Sequence, residues 1–194
     1  IFIYQKQFQV IEAISNFAVN IVAVNRSDKK LKELASILAK NEESSISEAI
    51  KSLREEEPFE GIIALLVSFY DSCTKKQISR IIEGFFNDLK DMSVRPEVIA
   101  EIRKPWKPDT ISMLVSSCWQ SGLDYSDYLN DMARTFLKAD YATSVECMTV
   151  IEESTINSTR ARKDEIISII MESPQAFMNE KNLLVHELIS ILER

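Results

Sequence analysis

The sequence predicts an all-α fold, and three observations carry that prediction. Glycine and proline number only 3 and 5 in 194 residues, whereas all-β and glycine-turned α/β folds spend many of both at their turns. Apolar residues recur at helical spacing: Ile78, Ile81, Ile82, Phe85, Phe86 and Leu89 fall within about 100° of arc at 3.6 residues per turn. Gly61–Tyr70 and Ile111–Gln120 carry no charge; each is too short to cross a bilayer and suits a helix buried on several sides. These two helices are expected to be the most buried. Apolar content of 45% against 27% charged places the chain among globular proteins and excludes disorder.

The elements follow in order. Tyr4, Phe8, Ile11, Ile14, Ala18, Ile21 and Val22 give a broad-faced amphipathic helix. Lys6 and Glu12 interrupt that stretch, so it reads as neither a signal peptide nor a membrane span. Ser27 or Asp28 is the expected N-cap of a helix striped by Leu31, Leu34, Ala35 and Leu38. Ser45-x-x-Glu48 has the spacing of a capping box, opening a helix with Ile46, Ala49, Ile50 and Leu53 that ends before Glu55–Glu57 and Pro58. Thr74-x-x-Gln77 is a second capping box. Residues 91–107 are irregular, with Val98 and Ile102 suggesting a short helix. Asp109 caps the next helix, and Ser121-Gly122 closes it. Asp124, Asp140 and Asn157 or Ser158 each precede a further apolar stripe, and Leu184, Leu188, Ile191 and Leu192 mark the last. About ten short helices result.

An offset of 48 residues lays Leu66-Val67-Ser68 on Leu114-Val115-Ser116, Ile81 on Leu129 and Leu89 on Leu137; an offset of 35 lays Val115 on Val150 and Met132 on Ile167. Helix pairs repeating at 35–50 residues suit an α-solenoid better than a four-helix bundle, which needs longer helices. The pairs 58–90, 108–138 and 140–172 resemble HEAT/armadillo-type repeats. No single unit holds the proline, Asp and later Arg/Lys at that family's spacing: six places after Asp71 stands Gln77. The likeness is therefore one of architecture. It implies a right-handed α-α superhelix acting as a binding scaffold. The domain organisation expected is a single helical-repeat domain over 1–194, with N-terminal helices over 1–57, three helix pairs over 58–172 and a C-terminal capping helix over 173–194.

Lys plus Arg is 23 against Asp plus Glu 30, a net charge of −7, which argues against nucleic-acid and anionic-membrane surfaces. Cys73, Cys118 and Cys147 are widely spaced and odd in number, so they read as buried thiols of a reducing, cytoplasmic compartment. His186 has no His or Cys neighbour in sequence and lies opposite the Leu184–Leu188–Leu192 stripe; it is expected in solvent, with no metal role. Glu55–Glu57 cannot converge on a cation, because successive helical residues point apart. Arg160, Arg162 and Lys163 are offset by Asp164 and Glu165. No nucleophile elbow, P-loop or dinucleotide motif is present. Neither catalytic residues nor a cofactor is expected.

The leading expectation is a non-enzymatic scaffold for a protein or peptide partner. The alternatives are a regulatory or accessory subunit of an enzyme complex, or, since the chain begins at Ile1, a structural module of a longer chain. The segments 58–71, 108–121 and 140–154 contain no Lys or Arg and hold Glu60, Asp71, Asp109, Asp140, Glu146, Glu152 and Glu153. If they share one face, that face is acidic and suits a basic segment of the partner. Glu146 and Glu153, seven residues apart and so on one side of their helix, are the expected contacts. Trp119 is the expected aromatic anchor.

Overall fold

The computed structural model describes residues 26–174, 176 and 181–194. Among them ten α-helices follow one another without a strand. They are α1 (26–40), α2 (Glu43–Arg54), α3 (Ile62–Ser72), α4 (Lys76–Asn87), α5 (Arg95–Ile102), α6 (Pro108–Gln120), α7 (Leu129–Lys138), α8 (Tyr141–Thr155), α9 (Arg160–Met171) and α10 (Asn182–Glu193). The expected stripe from Tyr4 to Val22 lies outside the described residues. No described helix is long and apolar enough to cross a membrane.

Several helix starts differ from the capping signals. Ser45 falls inside the first turn of α2, where its hydroxyl donates to the carboxylate of Glu42. Lys75, with no side-chain cap, precedes α4 in place of Thr74. Asp140 does cap α8, accepting from the Thr143 amide at 2.8 Å, and Thr159 rather than its neighbours caps α9. Gly61 precedes α3 at φ 85°, a left-handed conformation that glycine adopts without cost. Its Cα faces Leu31, whose Cδ1 would lie 3.0 Å from an added Cβ.

Alternate helices pack on one another: α2 on α4, α4 on α6, α6 on α8 and α8 on α10. The odd-numbered helices form a second row, in which α3 contacts α5 and α7 contacts α9. Arg103 joins α5 to α7 through two hydrogen bonds of 2.8 Å to Asp131. Contacts of α3 and α5 with α6, of α7 with α8 and of α9 with α10 bring the rows together over the core. There Leu66 and Leu114, from the two charge-free segments, have no exposure, nor have Ile82, Phe86, Phe136 and Val185.

This arrangement corrects the expected phasing over 58–172. The pairing of 58–90, 108–138 and 140–172 puts α3 in register with α6 and α8. The eight-residue helix α5 intervenes, so α3 lies in the odd row while α6 and α8 share the even one. The physical reason is visible in α5 itself. Val98, Ile99 and Ile102 are buried and Glu101 beside them is buried as well, so the helix lacks a clean apolar stripe and reads as irregular.

Polar ties reinforce the rows at a recurring separation. The Gly61 amide donates to Glu97 across 36 residues, Asn130 to Glu165 across 35, Lys90 to the Ser121 carbonyl across 31, and Trp119 to Glu146 across 27. At the end of α3, Asp71 reaches the start of α6. Its Oδ1 accepts from the Lys107 amide at 3.0 Å and the Thr110 hydroxyl at 2.8 Å. The α6 start is thus capped from another helix, and Asp109 leaves that task to it.

Candidate functional site

The three expected contact residues come together where α6 ends beside α8. Trp119 lies in the last turn of α6, half-buried and packed against the core. Its indole Nε1–H donates to Glu146 Oε2 at 2.6 Å, a short bond of the charge-assisted kind. Glu146 is itself half-buried, so this carboxylate serves an internal tie between α6 and α8. Glu153, two turns further along α8, is exposed.

Glu153 stands at the rim of a cleft of about 390 Å³ whose walls include Trp119, Leu123, Val150 and Asp124. Gly122, at φ 70°, turns the chain out of α6 and so sets Leu123 and Asp124 on the wall opposite α8. Hydroxyl and amide groups of Ser126, Ser154, Asn157 and Ser158 complete the lining, which contains no Lys or Arg. Asp124 Oδ1 accepts from the Ser126 amide at 2.8 Å. That bond, with the Ser126 hydroxyl and then the Arg95 charge, holds its carboxyl below the ordinary value of 3.8. The cleft therefore gathers the carboxyl groups of Asp124 and Glu153 with the side chains of Trp119, Leu123 and Val150.

No protein-family model matches this chain, and no curated protein or solved structure is significantly similar to it.

The remaining candidates resolve individually. Cys118 and Cys147 are buried in facing helices. Burial pushes the Cys118 thiol up to about 12 and raises that of Cys147 as well. His186 is exposed on α10, opposite the buried Leu184, Leu188 and Leu192. Among the described residues no three His, Cys, Asp or Glu side chains gather as a metal-binding group. Glu55–Glu57 are exposed, with Glu56 paired to Lys30 at 2.5 Å. Arg160 and Arg162 pair with Asp164 and Glu165. Tyr125 is buried, and Tyr128 lies beneath the Arg95 guanidinium at 5.7 Å.

Sequence reasoning missed the α5–α7 side of the molecule. A cleft of about 550 Å³ lies there between the α5–α6 connection and α7, lined by Trp106 and Ile111 and by Arg134 and Lys138. Trp106 lies at this cleft between Pro105 and Pro108, in the stretch 91–107 that reads only as irregular.

Proposed function

We propose that this chain is a non-enzymatic helical-repeat scaffold and that its α6–α8 cleft receives a basic segment of a protein partner. The observation that carries the reading is the cleft's composition. Asp124 and Glu153 share the lining with Trp119, Leu123 and Val150 and with no Lys or Arg, the Arg95 charge acting on Asp124 from outside it. A Lys or Arg side chain would lay its aliphatic stem on Trp119 and Leu123 and its charge between the carboxylates.

The packing of alternate helices supports the repeat reading, as does the spacing of the polar ties, 27 to 36 residues in the examples given. A HEAT-like superhelix would have both features, because each unit touches chiefly its neighbours. The acidic surface is the one formed by α6 and α8, which together contain Asp109, Glu146, Glu152 and Glu153 and no Lys or Arg. Within it Glu153 and Trp119 are the contact residues, while Glu146 orients Trp119.

The test compares proteins captured by the immobilised wild-type chain with those captured by an Asp124→Asn, Glu153→Lys variant. Capture should be competed by a Lys/Arg-rich dodecapeptide and lost in the variant. It should also weaken between 0.1 and 1 M salt, where the Debye length falls from ~10 Å to ~3 Å. Capture indifferent to the variant, the peptide and the salt would overturn the reading.

A further inference from the structure

The odd-numbered helices carry a feature of opposite sign. Arg134 and Lys138 stand one turn apart on α7 and so on the same side of it; both are exposed, and neither has a carboxylate within ion-pair distance among the described residues. They line the 550 Å³ cleft beside Trp106 and also a second one of about 280 Å³ whose other walls include Leu137, Ile169 and Glu172. Because the same two side chains border both clefts, the clefts adjoin across α7. Together they run from the α5–α6 connection to α9.

The charges around this groove are unequally committed. Arg103 is held by Asp131 in a forked pair, and Lys104 lies 2.6 Å from Glu101. Asp140 spends Oδ1 on the Thr143 amide, and Lys181 adds to holding its carboxyl low, after the bonds to Thr143. Glu172 sits at the far rim. Arg134 and Lys138 toward the middle of the groove have no ion pair among the described residues, nor has Glu172 at its end, so the cations exceed the acids there by one in a chain whose net charge is −7.

We propose that this groove binds an acidic peptide segment of a partner protein in extended form. Its carboxylates would lie against Arg134 and Lys138, with one apolar side chain against Trp106 and Ile111. The shape favours an extended peptide over a compact ligand. The lining runs from the α5–α6 connection across α7 to α9, a path on the order of two helix spacings of ~8–10 Å and the reach of about five or six extended residues at ~3.3 Å each. Nucleic acid is disfavoured, because strong phosphate binding needs several cations along the backbone path and, of the cations among the described residues here, only Arg134 and Lys138 stand without an ion pair. The groove does not rest on the acidic α6–α8 cleft, so the scaffold would engage oppositely charged segments on separate surfaces.

The test pans a random dodecapeptide phage library on the wild-type chain and on an Arg134→Glu, Lys138→Glu variant. Both positions are exposed, and circular dichroism confirms that the variant is folded. Peptides enriched on wild type alone should combine at least two Asp or Glu with an apolar residue. As fluorescein-labelled synthetic peptides, they should bind the variant about tenfold more weakly by anisotropy, while Lys138→Arg retains binding. The proposal is overturned if no peptide distinguishes the two proteins or if the distinguishing peptides lack acids. It is equally overturned if a fluorescein-labelled twelve-nucleotide single strand binds through Arg134 and Lys138 more tightly than any peptide.

Discussion

At the residue scale, burial decides which polar groups keep their ordinary chemistry. Trp119 and Glu146 are 27 residues apart and meet because α6 packs on α8. A carboxylate read as a surface contact thereby becomes the acceptor that fixes an indole. The cysteines separate in the same way. Thiolate is the reactive form, and burial pushes the Cys118 thiol up to about 12 and raises Cys147 also, whereas Cys73 is half-buried after α3. In the native protein at about pH 8, Cys73 should react with a thiol reagent such as 5,5′-dithiobis(2-nitrobenzoic acid) at least about tenfold faster than the other two. All three should react after unfolding. Fast modification of Cys118 or Cys147 in the folded chain would mean that α6 and α8 open readily.

At the scale of elements, α6 shows that a helix start need not be capped from its own sequence. A carboxylate satisfies first-turn donors wherever it comes from, and here Asp71 reaches across from α3. Burial by itself raises the Asp71 carboxyl, yet the Lys107 amide, the Thr110 hydroxyl and the Lys107 charge together hold it below its ordinary 3.8. A folded-state value below the unfolded one gives stability that is present above about 3.8 and lost as pH falls toward the lower folded value. Asp71→Asn should therefore cost roughly 0.5–1.5 kcal/mol at neutral pH. Its melting temperature should also decline less steeply than that of wild type between about pH 5 and about pH 3. Parallel declines in a thermal melt series would show that Asp71 is not ionised against α6.

At the scale of the molecule, the principal helix contacts join elements no more than three apart in the chain. A structure built that way has stability close to a sum of local interfaces, with the ends less supported than the middle. Amide hydrogen exchange should accordingly be slowest in α6, α7 and α8, where neighbours lie on both sides, and faster toward α2 and α10. Uniform protection from α2 to α10 would instead describe a closed, fully cooperative bundle. Charge is distributed at this scale too. The even row carries acids without Lys or Arg on α6 and α8, and the odd row carries the uncommitted Arg134 and Lys138 on α7.

Helix, core and charge were legible in the chain by itself, because they depend on local spacing and composition. The stripe Ile78, Ile82, Phe85 and Phe86 has one apolar side in any context, and it is buried; the scarcity of glycine and proline leaves helices little competition. Tertiary structure decided which stripes meet. The short α5, bounded by prolines and buried without a clean stripe, shifted the phase of everything before it and put α3 opposite α6. Nothing local to Trp119 specified Glu146 as its partner, and nothing local to Arg134 and Lys138 specified that two clefts would adjoin there. Pairing across some thirty residues is set by how whole helices stack, and a stripe records only that a side chain is buried, not what it is buried against.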